Sequence, residues 1–222
     1  MLFQDRVDAG RRLAERLLPY RDRRPLVLAL PRGGVPIGFE VATALDAPLD
    51  VIFVRKIGAP FQPELALGAV VGGDKPEVVI NENVKALLDI PEAYIQDRCV
   101  AQLKEIERRR GLYLEDRQPL PVEGRTAILV DDGVATGATM RAALHATKRR
   151  GPAATILAVP VAPPETIELL QTEADEVICL QIPPDFAGVG QFYRDFSQID
   201  DATVKELLAK RSQAIGRRRH RS

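Results

Sequence analysis

The chain has 222 residues, 45% of them hydrophobic and 28% charged, which is typical of a single globular domain. Basic and acidic residues number 31 each, so no excess charge points to nucleic acid or to an acidic membrane surface. No apolar run approaches the ~20 residues of a membrane-spanning helix, and the first residues lack a secretory apolar core. The two cysteines, Cys99 and Cys179, lack metal-ligand spacing and are predicted to be buried thiols. We therefore expect one cytoplasmic domain over 1–222, with no membrane partner.

Apolar runs and helical periodicities alternate along most of the chain. The runs at 26–30 and 126–130 are apolar without alternation, which is typical of strands covered on both faces. The alternation of strands with helices predicts an α/β fold, with a mainly parallel twisted sheet and helices on both faces. We predict helices over residues 5–18, 35–45, 139–150 and 165–172, and strands over 26–30, 49–54, 126–130, 154–160 and 176–180.

Residues 81–111 interrupt this alternation. They show two helical patterns without a strand between them, with Pro91 marking the break, and predict a helical insertion beside the core. The basic run 108–110 precedes Gly111 and is predicted to lie at a helix C-terminus, where cations are favourable. A further helix is expected after about Asp201.

The most informative segment covers residues 128–139, with the sequence ILVDDGVATGAT. A buried strand ends in Asp131 and Asp132, and a short loop of small and hydroxyl residues leads into a helix. Ligands of open α/β sheets bind at the carboxyl ends of strands, where this loop must lie. Amide groups at a helix start can bind phosphate, and two acids suit ribose hydroxyls and magnesium. The candidate binding residues of the loop are Val134, Ala135, Thr136, Gly137, Ala138 and Thr139.

This segment resembles the motif that binds phosphoribosyl pyrophosphate (PRPP) in type I phosphoribosyltransferases: an apolar strand, two acids, a spacer and Thr-Gly-x-Thr. The resemblance implies that fold, with its core over about 26–196. It also implies that Asp131 and Asp132 hold the ribose hydroxyls and Mg²⁺, while residues 136–139 bind the 5′-phosphate. Hypoxanthine-type members carry an acid where this chain has Ala135, which weakens the case for ordinary hypoxanthine or guanine salvage.

Two further segments resemble the same family. Arg32, Gly33 and Gly34 follow the first predicted strand and are similar to the pyrophosphate loop, especially of the xanthine–guanine branch. The glycines permit unusual backbone angles, and the arginine can pair with phosphate oxygens. Arg55 and Lys56 end the next strand, where a basic residue of the family reaches the pyrophosphate. We favour Lys56 over Arg55 for this role, and the alternative is a solvated strand end.

Residues 57–72 are then expected to form a mobile catalytic loop, because long connections in compact domains are often lids. A variable hood over the acceptor and a C-terminal helix are expected at about 181–215. Its segment 182–196 loosely resembles the C-terminal stretch of hypoxanthine-type enzymes, which implies that Phe186 stacks on a planar ring. The alternative is that Phe186 packs in the core.

The resemblance implies transfer of the 5-phosphoribosyl group from PRPP to a nitrogenous acceptor, with Mg²⁺ as cofactor and release of pyrophosphate. The expected acceptor is a nucleobase, as in nucleotide salvage. The whole chain is similar to stand-alone bacterial phosphoribosyltransferase-domain proteins, and a homodimer is expected because members of the family usually dimerise. The alternative is a PRPP-binding regulatory protein without catalysis. Nucleic-acid binding would fall to the basic run 217–221, although such a terminus is more often simply solvated.

Overall fold

The computed structural model describes residues 2–72, 76–114 and 117–219, which form seven α-helices and eight strands. No helix within these ranges is both long and apolar enough to cross a membrane. The helices are α1 (Arg6–Leu17), α2 (Gly34–Leu45), α3 (Glu82–Leu87), α4 (Glu92–Leu114), α5 (Ala138–Lys148), α6 (Pro164–Gln171) and α7 (Asp201–Arg219). The strands are β1 (Pro25–Ala29), β2 (Leu49–Val51), β3 (Val54–Ala59), β4 (Gln62–Val71), β5 (Glu77–Ile80), β6 (Thr126–Val130), β7 (Ala154–Val161) and β8 (Glu176–Gln181).

Five strands form a parallel sheet in the order β2-β1-β6-β7-β8. Every residue of β1 and β6 is buried, which explains why their sequences do not alternate. Helices α1 and α2 pack with Val27 and Ile128 on one face, whereas residues of α5 and α6 pack with Leu28 and Leu129 on the other. The predicted fold class, a mainly parallel sheet with helices on both faces, is therefore confirmed.

The segment 57–72, predicted to be a mobile loop, is instead most of an antiparallel hairpin formed by β3 and β4. Strand β5 extends it to a second, three-stranded sheet. The prediction was wrong because the glycines and prolines of this segment are common in loops. Gly68 has a packing reason: a Cβ there would lie 2.4 Å from the carbonyl oxygen of Val79 on β5. Strand β2 is also shorter than predicted, because the chain leaves the parallel sheet after Val51 to enter β3.

The predicted insertion is confirmed as α3 and α4, with Pro91 between them. Helix α4 packs against the second sheet and against α7, and α7 packs against α2. Arg108 to Arg110 do not lie at a helix terminus as predicted, because α4 continues past Gly111 to Leu114. Both cysteines are free thiols, but each is only partly buried.

The packing of α1 on the core can be tested at Leu13, which is 0% exposed. Leu87 on α3 is 81% exposed and serves as the control. We expect Leu13→Ala to lower the free energy of unfolding by about 2–5 kcal/mol, because it leaves a cavity in the core. The same substitution at Leu87 should change it by less than about 0.5 kcal/mol. Denaturant titration followed by circular dichroism measures both, and equal losses in the two variants would contradict this packing.

Candidate functional site

The loop between β6 and α5 lies at the carboxyl edge of the parallel sheet. The Val134 amide donates to the Val161 carbonyl (3.0 Å), and the Thr166 hydroxyl donates to the Ala135 carbonyl (2.5 Å), so β7 and α6 hold the loop. Gly137 caps α5 with a φ of +78°, which favours glycine. The first amide groups of a helix have no partner within it, so the start of α5 offers free donors beside two exposed threonines, Thr136 and Thr139.

The glycine pair after β1 lies directly against the two acids that follow β6. A Cβ on Gly33 would be 2.0 Å from Oδ2 of Asp132, and one on Gly34 would be 2.7 Å from the Val130 carbonyl oxygen. Any larger residue would collide with a carboxyl group or with backbone. The structure therefore brings the two sequence motifs into contact at one edge of the sheet, because β1 and β6 are paired in parallel.

The two carboxyl groups differ in their electrostatic surroundings. Burial raises the pKa of Asp131 well above its usual value, and the neighbouring Asp132 carboxylate raises it further. Burial also raises the pKa of Asp132, but Arg6 opposes this increase. The Asp132 amide donates to Oδ1 of Asp131 at 2.9 Å. A proton, a cation or a hydrogen-bonding ligand at Asp131 would therefore relieve an unfavourable buried charge.

Arg6, the first residue of α1, reaches Asp132 from a position 126 residues earlier in the chain. Its Nε donates to Oδ2 of Asp132 at 2.8 Å, and the two side chains are 8% and 15% exposed. Its Nη1 donates to the Ser197 carbonyl at 2.8 Å, and its guanidinium lies 3.9 Å from the centre of the Phe196 ring. Arg6 is not among the site residues that the sequence motifs predict. The available signal was an arginine in the first turn of a helix, where the dipole disfavours a cation.

The expected hood segment, 182–196, lies close to this loop. The Tyr193 hydroxyl donates to the Asp132 carbonyl at 2.6 Å, and a Cβ on Gly133 would lie 2.6 Å from Val189. Phe3 forms a parallel bridge with Tyr193, so the N-terminal segment joins the hood. The half-buried Phe186 stacks on Phe192, with ring centres 5.6 Å apart. Its predicted contact with a planar ring stays a prediction.

Two of the three predicted cations, Arg55 and Lys56, lie on β3 and line cavities beside the loop, whereas Arg32 follows β1. Arg55 lines a small cavity of about 80 Å³ together with Asp131 and Thr139. Lys56 lines a second cavity, of about 460 Å³, that also reaches Thr139 and Ala138. Nη1 of Arg32 lies 3.9 Å from Oδ1 of Asp201, at the start of α7. The structure thus places Arg55, as well as the favoured Lys56, beside the loop between β6 and α5.

The two acids offer the kind of oxygen ligands that a magnesium ion prefers. No cluster of three acidic, histidine or cysteine side chains suited to a metal occurs among the described residues. Mg²⁺ commonly uses one or two carboxylates and completes its coordination with substrate phosphates and water. Asp131 and Asp132 supply such hard oxygen donors.

The phosphoribosyl transferase domain family model matches residues 3–197 of this chain. Two Mycobacterium tuberculosis proteins, from strains CDC 1551 and H37Rv, are named "Putative phosphoribosyl transferase" and are 45% identical over 207 residues. These alignments cover 93% of this chain and 46% of each relative, so the chain spans about half the length of the curated relatives it matches. The crystal structure of TT1426 from Thermus thermophilus is 44% identical in sequence, with a TM-score of 0.83; the match covers 95% of this chain and 99% of that chain.

We expect Asp131→Asn to stabilise the ligand-free protein at pH 8. The folded protein holds the Asp131 proton up to a higher pH than the unfolded chain does, so stability falls as the pH rises through that interval. The gain from the neutral amide should therefore be largest at pH 8 and shrink as the pH falls towards 4. Denaturant titrations across this range, with the exposed Asp22→Asn as control, measure the effect. A lower stability of Asp131→Asn at pH 8 would refute it.

The Arg6–Asp132 pair should be strongly coupled. Arg6→Met leaves a buried carboxylate without its partner, and we expect a loss of about 3–5 kcal/mol in the free energy of unfolding. Adding Asp132→Asn should recover much of that loss, because both charges are then removed.

Arg11→Met is the matched control, since Arg11 also lies on α1 and pairs with Glu40, but its side chain is 70% exposed. Its effect should stay below about 1 kcal/mol. Additive losses in the double-mutant cycle would show that the pair is not coupled.

Proposed function

The chain belongs to the phosphoribosyl transferase domain family, and from this premise we propose that it transfers the 5-phosphoribosyl group of PRPP to a nitrogenous acceptor and releases pyrophosphate. A nucleobase is the acceptor class that we favour. The observation that carries the proposal is the contact between the glycine pair after β1 and the acids after β6, beside the free amides of α5.

In this proposal each part of PRPP meets a matching part of the site. Asp131 and Asp132 accept hydrogen bonds from the ribose hydroxyls, and the loop 136–139 donates amides and hydroxyls to the 5′-phosphate. The diphosphate lies towards Arg55 and Lys56, whose charges oppose its own. Arg32 approaches the same edge from the loop after β1.

Positioning and electrostatics supply the catalysis. The bond from the anomeric carbon to the diphosphate oxygen breaks while a bond to the acceptor nitrogen forms, and positive charge develops on the ribose. The carboxyl groups of Asp131 and Asp132 orient the sugar and lie close to that charge. A bound magnesium ion, held by these two carboxylates and by the substrate, would neutralise charge on the departing diphosphate. No protein nucleophile is needed.

Exclusion of water would protect the activated ribose from hydrolysis. The segment 182–196 packs against the loop that carries the acids, through Tyr193 and Val189. We assign to this segment the cover over the acceptor, with Phe186 as the candidate ring that stacks on it. This ring already packs on Phe192, so the acceptor would occupy the face opposite to that contact.

The proposal is tested by pyrophosphate release from PRPP and Mg²⁺ across a panel of purines, pyrimidines and related nitrogenous acceptors. We expect release that depends on one class of acceptor. The Asp131→Asn/Asp132→Asn variant should lose at least about 100-fold of this activity, because it removes both ribose-binding carboxylates. Asp22→Asn, at an exposed position, should keep it.

Circular dichroism of the double variant excludes unfolding as the cause of a loss. Saturable PRPP binding by the wild type without release would favour the regulatory alternative. Absence of PRPP binding would refute the proposed function.

A further inference from the structure

The insertion helix α4 directs one face towards the proposed diphosphate site. Gln102, Ile106, Arg109 and Tyr113 follow one another at intervals of three and four residues, so they share one face of the helix. Ile106 is fully buried and lines the cavity of about 80 Å³. It also packs close to Gly72, where a Cβ would lie 2.4 Å from its side chain. This contact fixes the rotation of α4 against the second sheet.

Two members of this face contact the proposed cation sites. Oε1 of Gln102 accepts a hydrogen bond from Nε of Arg55 at 3.0 Å. The Tyr113 hydroxyl donates to Oδ1 of Asp201, and this oxygen is the one that lies 3.9 Å from Nη1 of Arg32. Helix α4 therefore orients Arg55 directly and Arg32 through Asp201.

Arg109 brings a further positive charge to the same place. It lines the cavity of about 80 Å³ with Arg55, Thr139 and Asp131, which is the one acid among the described lining residues. Nε of Arg109 donates to Oε1 of Glu105 at 2.8 Å, and the side chain is 27% exposed. Arg109 does not interact with the negative end of the helix dipole, because α4 ends five residues later at Leu114.

Arg108 provides an internal comparison for Arg109. Its Nε donates to the other oxygen of Glu105 at 2.8 Å, but its side chain is 61% exposed and it is not part of the cavity lining. Two consecutive arginines thus share one carboxylate, and one of them faces the cavity. Guanidinium groups suit phosphate oxygens because their planar N–H groups can donate in pairs.

We propose that Arg109 binds the diphosphate of PRPP, so that the insertion helix α4 forms one wall of the substrate site. This inference rests on the proposed function. The positive charge of Arg55 and Arg109 faces the cavity beside Asp131 and the phosphate-binding loop, and a diphosphate placed there would receive donors from both sides.

The test compares Arg109→Met with Arg108→Met in the full chain with Mg²⁺ present. Isothermal titration calorimetry measures the affinities for PRPP, inorganic pyrophosphate and ribose 5-phosphate, which lacks the diphosphate. We expect Arg109→Met to weaken PRPP and pyrophosphate binding by roughly 10- to 100-fold and to leave ribose 5-phosphate binding within about twofold. Arg108→Met breaks a contact to the same carboxylate and should match the wild type. Arg109→Lys should recover part of the loss.

The remaining outcomes separate the inference from the proposed function. If the wild type binds PRPP and Arg109→Met binds it with the same affinity, the inference is overturned and the proposed function still stands. Equal losses in Arg108→Met and Arg109→Met, or an equal loss for ribose 5-phosphate, would assign the effect to helix structure and also overturn it. A wild-type protein that binds no PRPP would overturn both.

Discussion

The close contact between two backbone turns at the carboxyl edge of the parallel sheet determines the arrangement of the whole site. Strands β1 and β6 are direct neighbours in parallel register, so the chain leaves both strands at the same level. Gly33 and Gly34 let the turn after β1 pass within contact distance of Asp131 and Asp132. This approach withdraws two adjacent carboxyl groups from water, and their charges must then be balanced by other parts of the protein or by a ligand.

The charges of Asp131 and Asp132 are not neutralised equally, and this difference links the fold to the proposed chemistry. Arg6 neutralises Asp132 from the start of α1, and Phe196 and Ser197 enclose the same guanidinium. The N-terminal helix and the segment after β8 are therefore tied together at Asp132. Asp131 has no comparable cation bonded to its carboxyl group in the described contacts, so its ionised form stays unfavourable until a ligand arrives. In the proposed function, ribose hydroxyls and a metal at Asp131 would offset this unfavourable charge, and destabilising groups of this kind are expected at binding sites.

The sequence predicted the features whose causes are local. The strand of 126–130, the acids after it and the helix start formed one continuous pattern, and the insertion was visible because its helical periodicity broke the alternation. The hairpin of β3 and β4 was missed because Gly68 reflects tight packing and Pro60 a turn, and a sequence does not distinguish either from a loop. Arg6 was missed because its partner lies 126 residues away, and pairings of this kind exist only in the folded chain.

The distribution of charge around the site matches the chemistry of the proposed substrate. PRPP carries uncharged ribose hydroxyls between two anionic groups. The cavity that Arg55 and Arg109 line also reaches Asp131 and Thr139, at the edge of the sheet where α5 begins. Hydroxyls placed over the acids would leave the 5′-phosphate at the helix start and the diphosphate at the arginines. In the proposed binding mode, the acids and the arginines at one edge of the sheet would therefore match the hydroxyls and the diphosphate of a single ligand.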